Sequence, residues 1–161
     1  MKNLDVHFSS KSDDWATPQD FFNKVNAEFG PFDLDVCASH DNFKCPKYLT
    51  SKGFFDSAWG WISSADGLNG EWAAISKRAW CNPPYGRQIG KWIKKAYEES
   101  QKGCLVVALL PARTDTRYFH TYIYGQVNVE IRFIRGRLRF GRATASAPFP
   151  LMLVIFHPKK D

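Results

Sequence analysis

The sequence predicts an α/β protein: a mostly parallel sheet with an antiparallel C-terminal strand and helices on both faces. Three observations carry this expectation. Residues 103–112, GCLVVALLPA, form a continuous apolar run, which suits a parallel strand covered on both faces. Helical periodicity over 17–30 and 89–96 alternates with short strand-like runs. The chain then closes on two further strand-like runs, VEIRFIRGRLRF and PLMLVIF.

Taken in order, Thr17-Pro18-Gln19-Asp20 opens the first helix. Thr17 suits the N-cap, Pro18 the first helical position, and Asp20 the positive end of the dipole. Phe21, Val25 and Phe29 recur at helical spacing, Phe22 widens the stripe, and Gly30 is a stop. FDLDVCA follows as a short strand ending near Asp35. Residues 40–77 show no sustained period, and SSADGLNGEW reads as a loop. RAWC is a short strand that runs straight into two prolines. Beyond it Ile89, Trp92, Ile93 and Ala96 trace one helical face, with Lys91, Lys94 and Lys95 on the other. RTDTRYFHTYIYG predicts the next helix.

A chain of 161 residues fits one domain with a real core. We divide it into a polar lead over 1–14 and a single domain over 15–161, with a Trp-rich insertion around 57–72. No apolar run approaches the roughly 20 residues that cross a bilayer. The N-terminus lacks an apolar signal core, so the expectation is a cytoplasmic protein. The four cysteines form no CxxC pair and only four histidines are present, so we expect no metal site and read the cysteines as buried reduced thiols. Residues 1–80 carry 8 basic and 11 acidic side chains; residues 81–161 carry 14 and 5. The balance runs from −3 to +9, which steers a polyanion towards the second half.

The chemistry concentrates at Asn82-Pro83-Pro84-Tyr85. A residue before proline is pushed towards extended geometry, so Asn82 and Pro83 are both held extended. Neither proline has an N–H, so the turn offers carbonyl acceptors without competing donors. Asn82 adds a side-chain carbonyl, and Tyr85 a flat ring at a strand end, where ligands of open α/β sheets bind. Acceptors beside a stacking surface suit a planar group carrying an NH2, whose lone pair could attack an electrophilic methyl held about 3–3.5 Å away. The competing reading is a tight turn with Tyr85 packed in the core.

This tetrapeptide matches the [DNS]PP[YFW] motif of AdoMet-dependent amino-group methyltransferases. WATPQDFF, FDLDVCAS, DGL, WCNPPYGRQIGKWIKKA, LLPARTDTRYFH, IRGRLRF and APFPLMLVIF, in that order from Trp15 to Phe156, resemble the phage-type DNA N6-adenine methyltransferases, the phage Dam family. The resemblance implies a Rossmann-like methyltransferase sheet, S-adenosyl-L-methionine as cofactor and DNA as partner. It places Asn82 and the carbonyl of Pro83 on the adenine N6 protons, Pro84 within the same catalytic turn, and Tyr85 stacked on a flipped base. It places Thr17 and Pro18 at the methionine end of AdoMet, Asp35 in the cofactor loop and Asp66 at the amino group of the cofactor's adenine. Phe140 corresponds to a second ring against the flipped base. Thr17 also reads as a plain helix cap, Asp66 as a solvated turn residue before Gly67, and Phe140 as a core ring.

The sequence departs from the wider superfamily in the loop after the first strand, where Asp35-Val36-Cys37-Ala38-Ser39-His40 has no glycine. Ala38 and Ser39 are small enough to allow a similar backbone approach, which makes Ala38 a cofactor candidate. For DNA, Arg137 and Arg139 alternate with Leu138 and Phe140, putting two guanidiniums on one face of an expected strand. Arg113, Arg117 and Arg142 are further candidates, as are Lys91, Lys94 and Lys95. The implied role is protection of phage DNA from restriction in a bacterial host. Rival readings are methyl transfer to RNA or to protein glutamine, and a nucleic-acid binder that has lost catalysis.

Overall fold

A computed structural model of the chain describes residues 16–141 and 146–160; the polar lead, Trp15 and Arg142 lie outside the described residues. The elements are α1 (Gln19–Phe29), β1 (Leu34–Asp35), β2 (Lys47–Thr50), β3 (Gly53–Asp56), β4 (Gly60–Ser63), α2 (Trp72–Ile75), β5 (Arg78–Cys81), α3 (Ile89–Gln101), β6 (Leu105–Pro111), a π-helical turn (Phe119–Ile123), β7 (Val129–Phe133) and β8 (Leu151–Phe156). All eight strands join one sheet in the order β4-β3-β2-β1-β5-β6-β8-β7.

The expectation of a mostly parallel sheet is corrected. Three pairings are parallel (β1 with β2, β1 with β5, β5 with β6) and four are antiparallel. The reason lies in residues 47–63, which had shown no period. Ser51 and Lys52 alone separate β2 from β3, and Ser57 to Trp59 separate β3 from β4. Connections this short can only fold a strand back antiparallel, since a parallel crossover needs a dozen residues or more. Gly53 and Gly60, at φ of +148° and +81°, supply the backbone these turns require. At the other side β8 runs antiparallel to both β6 and β7.

The long apolar run does become a central strand. β6 is buried from Val106 to Pro111, and all six residues of β8 are buried against it. Register places Trp80, Val107, Leu109, Ile155 and Arg132 on one face. α1 covers that face: Phe22 meets the ring of Trp80 edge-on at 5.3 Å, and Phe29 lies under the Arg132 guanidinium at 4.7 Å. α3 packs on β6, with Trp92 stacked on Trp72 of α2 and Tyr97 tilted against Tyr122 of the π-helical turn. Among the described residues no helix is long and apolar enough to cross a membrane.

Three local expectations also change. Pro18, not Thr17, stands at the N-cap of α1, and no side chain caps that end. The helix expected over 113–125 shortens to the π-helical turn, because Thr116 Oγ1 donates to the Arg113 carbonyl at 2.8 Å and holds the preceding residues in a turn. The strand expected through Phe140 ends at Phe133; Gly136, at φ +79°, turns the chain away. Residues 137–140 run on outside the ladder, tied by Ala147 N–H to Leu138 O at 2.8 Å and Gly141 N–H to Ala16 O at 2.8 Å.

Candidate active site

The strand order reverses between β1 and β5, because the chain leaves β1 towards β2 on one side and β5 towards β6 on the other. Open α/β sheets place their ligand crevice at such a point, beyond the carboxyl ends of the strands. A cleft of about 430 Å³ lies there, lined by residues 36–39 after β1, 49–51 at the end of β2, 66–68, 82–84 after β5, and Trp92. That volume suits a nucleotide-sized ligand.

The loop after β1 is shaped by Asp35, which is 3 % exposed. One carboxylate oxygen accepts the Cys37 N–H at 3.2 Å and the other the Lys44 N–H at 3.0 Å, so the side chain closes the loop on itself. Burial pushes this carboxyl up to about 6, while the N–H donors of Lys44 and Cys37 and the Lys44 charge work the other way. Ala38 and Ser39 line the cleft, and the Ser39 hydroxyl is buried with no hydrogen-bond partner among the described residues, a polar group left for a ligand to meet.

The glycine missing from this loop is supplied elsewhere. A Cβ on Gly67 would stand 2.2 Å from the Val36 carbonyl and 2.4 Å from the Trp92 ring. Only glycine lets the 66–68 turn close the cleft wall, a role the sequence reading missed although the Asp-Gly pair marked the turn. Asp66 lines the cleft and also builds its turn, accepting the N–H groups of Leu68 at 3.0 Å and Asn69 at 2.8 Å. Trp72 Nε1–H donates to the Gly67 carbonyl at 2.7 Å from behind. Within the Trp-rich stretch Trp72 is therefore core, whereas Trp59 and Trp61 are 80 % and 60 % exposed on β4 and its turn.

At the end of β5 the expected residues converge. Asn82 Nδ2 donates to Thr17 Oγ1 at 3.0 Å, which fixes the side-chain amide. The Tyr85 hydroxyl lies 2.9 Å from Asn82 Oδ1 and 3.0 Å from the Leu109 carbonyl, and its single proton serves one of them at a time. Burial raises the phenol well above its ordinary range, so Tyr85 stays a donor. Its ring is buried and meets Phe140 edge-on at 6.0 Å and Phe149 at 5.6 Å. Phe149 had not been singled out by the sequence. Pro83 and Pro84 line the cleft beside Asn82. Thr17 thus joins Asn82, and Pro18 lines a second groove with Arg137 and Arg139.

The basic candidates divide. Arg113, Arg117, Arg137 and Arg139 are exposed. Lys94 and Lys95 instead pair along their own helix with Glu98 at 2.5 Å and Glu99 at 2.8 Å. Among the described residues no group of three or more His, Cys, Asp or Glu is placed to hold a metal.

Fold and site together define a Rossmann-like α/β protein with a nucleotide-sized cleft at its switch point, opening beside an Asn-Pro-Pro-Tyr turn. The chain belongs to the DNA N-6-adenine-methyltransferase (Dam) family, whose model matches residues 6–160. It is 30 % identical over 105 residues to the DNA N-6-adenine-methyltransferase of Escherichia phage T1, a match spanning 65 % of this chain but 38 % of the phage protein. It is 34 % identical over 90 residues to YfdM of Escherichia coli (strain K12), itself named only provisionally as a methyltransferase; that match spans 53 % of this chain and 86 % of YfdM.

Proposed function

We propose that this chain transfers a methyl group from AdoMet to the N6 amino group of an adenine flipped out of DNA, as a phage-encoded guard against restriction in the cytoplasm of a bacterial host. The observation that carries the reading is the Thr17–Asn82–Tyr85 array, in which Asn82 lines the cleft and its oriented amide oxygen stands beside two prolines that contribute no N–H. Bound AdoMet supplies an electrophilic sulfonium methyl. The cleft fits such a cofactor in size, in the close wall that Gly67 permits, and in the unpaired Ser39 hydroxyl.

Asn82 Oδ1 accepts one N6 proton and the Pro83 carbonyl the other, aiming the nitrogen lone pair into the cleft. The Tyr85 hydroxyl can turn its proton to the Leu109 carbonyl, which frees the Asn82 oxygen for the substrate. Admitting the base parts the edge contact between Tyr85 and Phe140, so that the two rings flank it. The proton released from N6 goes to solvent, and no side chain is assigned as a base. Arg113, Arg117, Arg137 and Arg139 hold the DNA backbone, which would otherwise keep the base stacked.

Labelled methyl transfer from AdoMet to unmethylated duplex DNA, followed by nucleoside analysis, tests the proposal. N6-methyladenine is the expected product. Transfer to RNA or to glutamine alone would refute the DNA assignment, and failure to bind AdoMet would leave a nucleic-acid binder without catalysis.

A further inference from the structure

We infer that the groove between the first turn of α1 and residues 137–139 holds the DNA phosphate adjacent to the target adenosine. The inference rests on the adenine-methylation reading and adds a built position to it. The groove, of about 320 Å³, has Pro18, Asp20, Phe21 and Lys24 on one wall and Arg137, Leu138 and Arg139 on the other.

Its placement is the first argument. On one wall Pro18 follows Thr17, whose hydroxyl receives the Asn82 amide at 3.0 Å. On the other Arg139 precedes Phe140, whose ring meets Tyr85 at 6.0 Å. The two walls are tied by Gly141 N–H to the Ala16 carbonyl at 2.8 Å, so they keep their spacing. A flipped nucleotide stays covalently bound to its own phosphates. A base seated at Asn82 therefore brings a phosphate to this rim.

Charge is the second argument. Lys94, Lys95, Lys102 and Arg132 are each taken up by a carboxylate. Lys24 and Arg139 enter no ion pair among the described residues, and Arg137 spends one N–H on the Ala147 carbonyl at 3.3 Å. Three cations and one carboxylate, Asp20, line a groove whose remaining lining is apolar. A phosphodiester is the anion that fits, since guanidinium donors match its oxygens in pairs and an ammonium adds a point charge. Asp20 restrains the affinity, which suits a site that must release its product. Holding this phosphate offsets part of the cost of extruding the base from the stack.

The test uses duplexes carrying the mapped target adenine with a neutral methylphosphonate either at a phosphate flanking that adenine or several nucleotides away. Binding by fluorescence anisotropy and N6-methyladenine formation are both read. For the wild-type chain, flanking neutralisation at one of the two positions should weaken binding roughly tenfold or more, and distal neutralisation far less. The double variant Lys24→Ala, Arg139→Ala should bind the charged duplex similarly weakly and lose little more on the neutralised one. Asp20→Asn, which keeps every cation, should tighten the charged duplex severalfold. Equal sensitivity of wild type and double variant, with additive losses, overturns the groove while leaving methylation intact, as does an Asp20→Asn variant that binds no tighter. Absence of N6-methyladenine from the wild-type chain on any duplex overturns the reading beneath it.

Discussion

Thr17→Val separates two roles that the same residue could play. The family resemblance assigns Thr17 to the cofactor, whereas the structure gives its hydroxyl to the Asn82 amide at 3.0 Å. Valine keeps the shape of this 3 % exposed side chain and removes only the hydroxyl. An amide proton left without a buried acceptor costs about 1–3 kcal/mol. Asn82 itself is half-buried, so water recovers part of that, and the lower half of the range applies. At 1.36 kcal/mol per factor of ten, the loss is roughly 5- to 30-fold in methyl transfer, provided the amide orientation matters at the transition state. Steady-state transfer to DNA, AdoMet affinity by calorimetry and a melting curve are the measurements. The expected pattern is a fall in kcat with AdoMet affinity within about twofold and a melting point shifted by no more than a few degrees. Retained kcat with a weakened AdoMet affinity would refute the orienting role and return Thr17 to the cofactor.

The other expectations follow from the same geometry. Asn82→Ala removes the proposed acceptor of the target amine, so methyl transfer should fall by orders of magnitude with AdoMet binding nearly intact; parallel loss of both would contradict the assignment. Gly67→Ala places a Cβ 2.2 Å from the Val36 carbonyl and 2.4 Å from the Trp92 ring, and should cost about 1–3 kcal/mol in denaturant unfolding along with most AdoMet affinity. Unchanged affinity would show that the 66–68 turn is no part of the cofactor wall. Asp35, whose carboxyl burial raises from 3.8 to about 6, binds a proton more readily folded than unfolded. The native state is therefore stabilised by that proton below about pH 4, and the contribution is lost as pH rises towards 6. Comparing denaturant stability of the wild-type chain with Asp35→Asn, the difference should move by an order of 2–3 kcal/mol between pH 4 and 7 in favour of the variant at the higher pH. A difference independent of pH would show that Asp35 ionises normally.

Much of the parallel half of the sheet was legible because its signals are local. Phe22 and Val25 at helical spacing, the buried run ending at Pro111 and the RAWC strand stopping at two prolines each report within a few residues of themselves. The antiparallel C-terminal strand was legible too, as PLMLVIF, but the antiparallel arm β2 to β4 was not, for the opposite reason. β2 to β4 are four residues each, too short for a period to show, and their strand character comes from pairing with one another. At 137–140 exposed Arg137 and Arg139 alternate with half-buried Leu138 and buried Phe140 as the two faces of a strand would, yet the segment is no strand, because alternating burial needs only an extended chain and not a ladder partner.

What the sequence determined by itself is the chemistry: an acceptor-rich Asn-Pro-Pro-Tyr turn at a strand end, a cationic second half, and the ordered segments that mark the family. Such features are fixed by residue type and by neighbours one or two positions away. What only the tertiary structure decided is which atoms those residues spend on one another. Thr17 serves Asn82 across 65 positions, Gly67 makes the close approach absent from the 35–40 loop, and Asp35 turns its carboxylate back onto its own backbone. Hydrogen bonds and steric contacts of that kind depend on distances below 4 Å. Distances of that order between remote residues exist only once the sheet has brought the segments together.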